Sequence, residues 1–388
     1  MQRFFLFFLL LGASLAAEEP IVYLSWKHDP TSTMTVQWIT KKSDTKDLIS
    51  YKKSDGSQWR DAKGSHQPLP ASTPYVVHKV ELTGLQPNST YNFRFGNKDK
   101  VLSFKTMPKD LSSPIRFITG GDAYHSNLKR FEAMCKQAAK ENPRFAIIGG
   151  DIAYAAPKKG GKENWTKWQE FFTSWYKIMR DKEGCLIPLL VTIGNHEVTG
   201  AFNRSMKEAP FYYSFFEKSM YDLSFGSYLH LTFLDSGHTQ KIPGKQTDWL
   251  KKTLSKNQNH MHRFCIYHVG AYPTYHSESS APCKNIRKHW VPLFEKYKVN
   301  GCFESHDHAY KRTHPLLNGK KNEKGVVYLG DGSWGVKPRK PKSHPYLANK
   351  ANKQQALVVE ISKQQRKFWA VDTRGKMIDY YDQAVKGT

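Results

Sequence analysis

Short apolar runs of strand length recur along this chain, and five of them lead into residues of metal-ligating type. Asp122 follows residues 116–121, and Gly150-Asp151-Ile152-Ala153-Tyr154 follows residues 144–148. Gly194-Asn195-His196-Glu197 follows residues 186–193, His268 follows 264–267, and Ser305-His306-Asp307-His308 follows 299–303. Helical segments lie between the runs. Residues 128–138 place Leu128, Phe131, Met134, Cys135 and Ala138 on one face, with Ser126 as the expected cap, and residues 165–179 form a second, aromatic-rich helix. Strand, helix, strand implies parallel pairing by crossover connections, and sites in such sheets gather at the carboxyl ends of strands. Fold and site are therefore constrained together.

The residues in front read differently. Trp26, Met34–Ile39, Val76–Leu82 and Tyr91–Phe95 are short alternating runs separated by polar turns, the pattern of an all-β sandwich. The stretch Leu82-Thr83-Gly84-Leu85-Gln86-Pro87-Asn88-Ser89-Thr90-Tyr91 has the layout of a fibronectin type III corner, where a tyrosine opens a strand. The expected division is a β-sandwich over 18–107, a linker around Pro108 and Asp110–Pro114, and an α/β (α+β) unit of two packed sheets flanked by helices over 108–388. The later runs 325–329, 356–361 and 366–372 are expected to make the second sheet, the last closing in a hairpin at Thr373-Arg374-Gly375-Lys376.

Residues 1–17 read as a secretory signal: Arg3, an apolar run over 4–11, and Ser14-Leu15-Ala16 as the cleavage site. No later segment reaches membrane-spanning length, so a secreted, extracellular or periplasmic product is expected. Export permits disulfides, but five cysteines leave at least one unpaired, and Cys135, Cys265 and Cys302 lie in apolar stretches that suit buried thiols. Asn88, Asn164 and Asn203 begin glycosylation sequons. The net charge of +25 is spread along the chain, which fits a solvated lysine-rich surface or attraction to polyanions; no nucleic-acid motif accompanies it.

Taken singly, each strand-end residue has an ordinary structural explanation. Asp122 suits a turn or cap, Asn195 a turn, His268 a satisfied strand-end histidine, and Tyr154 half-buried packing. Together they supply a dinuclear site. Asp151 is the candidate bridging carboxylate. Asp122, Tyr154 and one histidine of His306-Asp307-His308 fill one shell, and Asn195, His268 and the other histidine fill the second. A phenolate favours a hard trivalent ion such as Fe(III). Two ions about 3.5–4 Å apart suit phosphate ester hydrolysis.

On these motifs the chain resembles the purple acid phosphatases of the calcineurin-like metallophosphoesterase superfamily, in their plant-type form with a fibronectin-like domain in front. Tyr154 carries the resemblance, because general metallophosphoesterases have instead a histidine two residues after the first aspartate, where this chain has Tyr124. The resemblance implies Fe(III) held by Asp122, Asp151, Tyr154 and His308. It implies a divalent ion (Fe, Zn or Mn) held by Asp151, Asn195, His268 and His306. It further implies hydrolysis of small phosphate monoesters by a metal-bound hydroxide, with His196 and His276 as catalytic contacts to the phosphate or leaving group, and Glu197 orienting a neighbour. Tyr124 and Ser305 replace family glycines, and Tyr124 is expected to narrow the pocket. The alternatives are a phosphodiesterase or nucleotide hydrolase with the same site, and a non-catalytic polyanion-binding protein; the complete set of seven ligands argues against the latter.

Overall fold

The computed structural model describes residues 19–96 and 100–385, so the expected leader lies outside the described residues. The N-terminal part is eight strands: β1 (Ile21–Ser25), β2 (Met34–Lys41), β3 (Leu48–Lys53), β4 (Arg60–Lys63), β5 (Ser65–Pro68), β6 (Tyr75–Leu82), β7 (Thr90–Phe95) and β8 (Leu102–Lys105). They form two antiparallel sheets, β1-β2-β6-β5 and β4-β3-β7-β8. Period-two alternation sends Val36, Trp38 and Val80 from one sheet, and Ile49, Phe93 and Phe104 from the other, into one core. The Tyr91 hydroxyl, at the start of β7, accepts the Gln86 backbone N–H at 2.9 Å and ties the corner to the strand.

The rest of the chain continues β9 (Ile115–Gly120), α1 (Leu128–Lys140), β10 (Ala146–Gly149), α2 (Trp165–Ile178), β11 (Leu189–Thr192), α3 (Pro210–Phe216), β12 (Tyr221–Phe225) and β13 (Leu229–Phe233). Then come α4 (Thr247–Lys256), β14 (His262–Val269), α5 (Ala281–His289), α6 (Val291–Lys296), β15 (Gly301–Ser305) and β16 (Tyr310–Thr313). A short hairpin, β17 (Leu316–Leu317) and β18 (Lys320–Lys321), precedes β19 (Val327–Gly330), β20 (Leu347–Ala351), β21 (Ala356–Ile361), β22 (Gln365–Val371) and β23 (Met377–Ala384). One sheet runs β11-β10-β9-β21-β22-β23 and the other β12-β13-β14-β15-β19-β16-β20. The pairs β9–β10, β10–β11, β13–β14, β14–β15 and β15–β19 are parallel.

Alternation along these strands builds the layers. Phe117, Ile147 and Val359 face Phe264, Phe303 and Leu329 across the gap between the sheets. Their sequence neighbours Ile118, Ile148 and Val358 turn outward beneath Phe131 and Met134 of α1 and Trp168 and Phe171 of α2. On the other side Cys265, Tyr267 and Cys302 lie beneath Leu250 of α4, Ile286 of α5, Phe294 of α6 and Trp290 at the junction of the last two. Fully burying a side chain such as Phe117 contributes about 2–3 kcal/mol, so a shift of one residue in register would reverse every one of these contacts.

Two expectations are corrected here. Residues 356–361 and 366–372 do not join a second sheet with residues 325–329. Strand β21 pairs antiparallel with β9, and β22 and β23 extend that first sheet, while β19 lies in the other. Alternation specifies which face of a strand is buried, but not which distant strand it pairs with. The first helix is capped by Asn127, whose carboxamide oxygen accepts from the Arg130 N–H, and not by Ser126, whose hydroxyl contacts the His125 ring. The hairpin at Thr373–Lys376 is present, with the Gly375 N–H bonded to the Asp372 carbonyl. All five cysteines are buried and unpaired, and among the described residues no helix is long and apolar enough to cross a membrane.

Candidate metal centre

The loops leaving β9, β10, β11 and β15, with the end of β14, converge on one cleft. The first two loops keep pairing after their strands end: Asp122, Ala123 and Tyr124 donate backbone N–H groups to the carbonyls of Gly150, Asp151 and Ile152. Asp122 (φ 56°), Asp151 (φ 53°), Tyr154 (φ 50°), His306 (φ 78°) and His308 (φ 60°) all adopt left-handed backbone conformations. Each such residue costs on the order of 1–3 kcal/mol and persists only where its surroundings hold it, as at functional sites.

Two donor groups result, and they share a residue. One nitrogen or oxygen each from Asp151, His268 and His306 lie within 4.8 Å of one another, as do atoms of Asp122, Asp151 and His308. The Asp122 and Asp151 side chains are buried. The His268 Nε2 lies 3.1 Å from the Asn195 carboxamide oxygen and 3.4 Å from Asp151, while its Nδ1 donates to the Gly149 carbonyl at 2.8 Å. That outer hydrogen bond fixes the tautomer and leaves Nε2 as the donor atom facing the cleft. The His308 Nε2 lies 2.8 Å from Asp122, and the Tyr154 hydroxyl lies 2.9 Å from Asp122 and 3.1 Å from His308.

These charges require compensation. Burial works against ionisation of Asp151, yet His268 and His196 hold its carboxyl well below the usual range. Burial, then Asp122 and Asp151, push the Tyr154 phenol well above its ordinary value. A cation in the same space would supply the positive charge the carboxylates need and would displace the phenolic proton. Hard oxygen donors, a phenol and three imidazoles thus fit hard or borderline metal ions.

Glu197 is fully buried behind the donors. Its carboxylate accepts the backbone N–H groups of Asp151 (2.8 Å), Ile152 (2.7 Å) and Gly194 (2.9 Å), pinning two ligand loops together. Gly332 permits a further close approach: a Cβ there would lie 1.8 Å from an Asp122 carboxylate oxygen. His196 stacks on Tyr154 with ring centroids 4.1 Å apart and stays partly exposed beside Asp151. His276 stacks on His306 at 4.3 Å, so both are brought to the cleft.

Several contributors are absent from the sequence reading. Asp307, the unassigned middle of Ser305-His306-Asp307-His308, accepts from the Thr274 and Tyr275 backbone N–H groups and from the His276 ring, so it holds the loop that carries His276. Arg339 reaches the other ring nitrogen of His276 at 3.3 Å and donates its backbone N–H to the His308 carbonyl. Beneath them Lys311, fully buried, contacts Glu304 at 2.6 Å and Asp331 at 3.2 Å. A lysine inside an otherwise buried strand was the available signal for that network.

Of the two departures from the family glycines, Tyr124 resolves differently from expectation. Tyr124 does not narrow the cleft. It is buried, packs on Phe131, and bonds Glu170 of α2 through its hydroxyl, because the left-handed turn at Asp122 directs it into the helical layer. Ser305 fills the space beside Gly121 and Gly149, where an added Cβ would meet its hydroxyl at 2.2 and 2.5 Å. A cavity of about 280 Å³ opens beside His276 and His306, lined by Phe202, Val269, Pro273 and Pro282.

Comparison with known proteins agrees with this arrangement. Residues 20–106 match the family model of the purple acid phosphatase N-terminal domain, and residues 121–310 match that of the calcineurin-like phosphoesterases. Purple acid phosphatase 23 of Arabidopsis thaliana is 27% identical over 367 residues, covering 78% of this chain and 77% of that protein. Purple acid phosphatase 15 of the same plant is 21% identical over 378 residues, covering 83% and 67%. In fold, the chain is similar to the purple acid phosphatase from yellow lupin (Lupinus luteus) seeds, with a TM-score of 0.78 at 17% identity over 94% of this chain and 74% of that one. Both domains of the plant purple acid phosphatases are thus matched in order along the chain, which is a metal-dependent phosphatase similar to that family.

Proposed function

We propose that this chain hydrolyses small phosphate monoesters at a dinuclear centre of Fe(III) and one divalent ion (Fe, Zn or Mn). The observation that carries the reading is the convergence of seven donors from five strand ends, with Asp151 common to both groups. Asp122, Asp151, Tyr154 and His308 would hold the trivalent ion, and Asp151, Asn195, His268 and His306 the divalent one. When bound, such an ion pair polarises the phosphoryl group and acidifies an attacking water.

The chain's own residues then divide the remaining work. His196, half-exposed at the rim beside Asp151, donates a hydrogen bond to a phosphate oxygen. His276 has its Nδ1 held by Asp307 and its Nε2 beside the Arg339 guanidinium, so the two side chains are placed together to meet the phosphate and leaving-group oxygens. Arg339 adds fixed positive charge for the ester's phosphate. The apolar wall of Phe202, Val269, Pro273 and Pro282 receives the organic part of the substrate.

The same reading takes residues 18–107 as a fibronectin type III-like platform, residues 108–388 as the catalytic unit, and residues 1–17 as a leader that sends the product out of the cell. Asn88, Asn164 and Asn203 are exposed, as glycosylation there requires. Metal analysis with a visible spectrum tests the proposal. Iron together with a tyrosinate-to-Fe(III) band that disappears in Tyr154→Phe, and monoester hydrolysis faster than diester hydrolysis, are expected. A colourless, iron-free and fully active enzyme would overturn the Fe(III) assignment, and a faster diester rate would overturn the substrate class.

A further inference from the structure

A second cluster of metal-binding side chains lies on the N-terminal sandwich, and none of its residues belongs to the centre described above. His66 on the edge strand β5 and His78 on β6 are direct cross-strand partners, with ring centroids 5.3 Å apart. Asp47, just before β3, reaches over both. Its carboxylate lies 2.8 and 3.0 Å from the His66 Nδ1 and 2.7 Å from the His78 Nδ1. One donor atom from each of the three residues falls within 4.8 Å of the others.

We propose that Asp47, His66 and His78 form a mononuclear site for a divalent transition ion of the zinc class. Both imidazoles present the same nitrogen to one carboxylate, and two imidazoles with one carboxylate are a ligand set zinc uses, leaving a fourth position for water. His78 is held as metal-ligating histidines are. Its ring is buried and stacked on Trp38 (4.7 Å, 3° between planes), and its outer nitrogen bonds the Thr40 hydroxyl at 2.7 Å. The hydroxyl can donate or accept, so it bonds Nε2 in either tautomer and leaves Nδ1 able to give up its proton in favour of an ion. Asp47 and His66 are partly exposed, at 13% and 29% of their side-chain surface, which gives an ion a route in and leaves the fourth position open to solvent.

The competing account is a clasp of two N–H···O hydrogen bonds and no ion, and the present spacing suits it. Tetrahedral donors around zinc stand about 3.3 Å apart, so the group must widen by about 0.5 Å. The exposed His66 on a sheet edge can supply that movement, whereas His78, packed on Trp38, cannot. His66 is therefore the residue to remove.

The test is equilibrium dialysis of the full chain against Zn²⁺ at micromolar free concentration, comparing wild type with His66→Ala and His66→Gln. The site predicts one fewer zinc ion per chain in both variants. It also predicts a zinc-dependent rise in Tm in the wild type that both variants lose, with the rate of phosphate ester hydrolysis unchanged. A zinc-free Tm and circular dichroism spectrum matching wild type show that the sandwich of each variant is folded, so the missing ion cannot be blamed on unfolding. Equal zinc counts and equal Tm shifts in all three proteins would overturn the proposal and leave the hydrogen-bonded clasp.

Discussion

The sandwich and the paired sheets bury side chains by the same alternation, yet they differ in how their strands end. In the sandwich, the non-glycine residues with left-handed backbone, Ala71, Ser72 and Asn88, are exposed in turns. In the sheets, Asp122, Asp151, Tyr154, His306 and His308 take the same conformation while buried or half-buried at the cleft. In an exposed turn the steric cost is the same, but the freed backbone groups bond to water. Five such residues in one cleft are strain that the surrounding network must sustain, through Glu197, Asp307 and the buried Lys311. The sandwich carries a fold, and the sheets carry a fold plus an enforced geometry.

Removing one hydrogen-bonding group in each region is the sharpest way to break that contrast. In the sheets, Glu197→Gln leaves one oxygen for three backbone N–H groups and turns an amide donor toward the rest. The expected result is a roughly 10–100-fold loss in activity or metal affinity, read from steady-state kinetics and metal titration. A loss of less than twofold would show that the ligand loops hold themselves.

Glu163 tests how far the demand for enforced geometry extends beyond the centre. It is buried in front of α2, accepts only the Trp168 indole N–H (3.2 Å) among side chains, and has its carboxyl pushed up to about 8 by burial. Because the folded form holds this proton more tightly than the unfolded chain, its contribution to stability is full below about pH 4.5 and is lost as pH rises toward about 8. Glu163→Gln should therefore be more stable than wild type by a few kcal/mol at pH 9, with the difference shrinking toward pH 5. Parallel Tm–pH curves would contradict this.

The smallest effect is expected in the sandwich. Tyr91→Phe removes the bond to the Gln86 amide and should cost about 1 kcal/mol of stability, measured by denaturant unfolding, with turnover unchanged. A large loss of turnover would mean that the sandwich positions the site directly, and the contrast between the regions would fail.

What the sequence made legible follows from the same contrast. Alternation, the Tyr91 corner and the helical face of Phe131, Met134, Cys135 and Ala138 are local, and each is present in the structure. The convergence of the strand-end residues could be expected because each follows its own apolar run. Long-range choices could not be read this way. Nothing local in residues 356–372 says that β21 pairs with β9, and nothing around Tyr124 says that the turn at Asp122 sends its ring to Phe131 and Glu170. Asp307 was visible in the motif, but its work on the His276 loop depends on residues more than thirty positions away.

The most direct test of the central claim is the rate of phosphate release from an aryl phosphate monoester by wild type and by Asp151→Asn, with circular dichroism confirming that the variant is folded. Asp151 is common to both donor groups, so its loss should disable both at once. The expected result is hydrolysis by the wild type and a fall on the order of a thousandfold or more in the folded variant, equivalent to at least about 4 kcal/mol of barrier. A folded Asp151→Asn protein that keeps wild-type turnover would contradict the account.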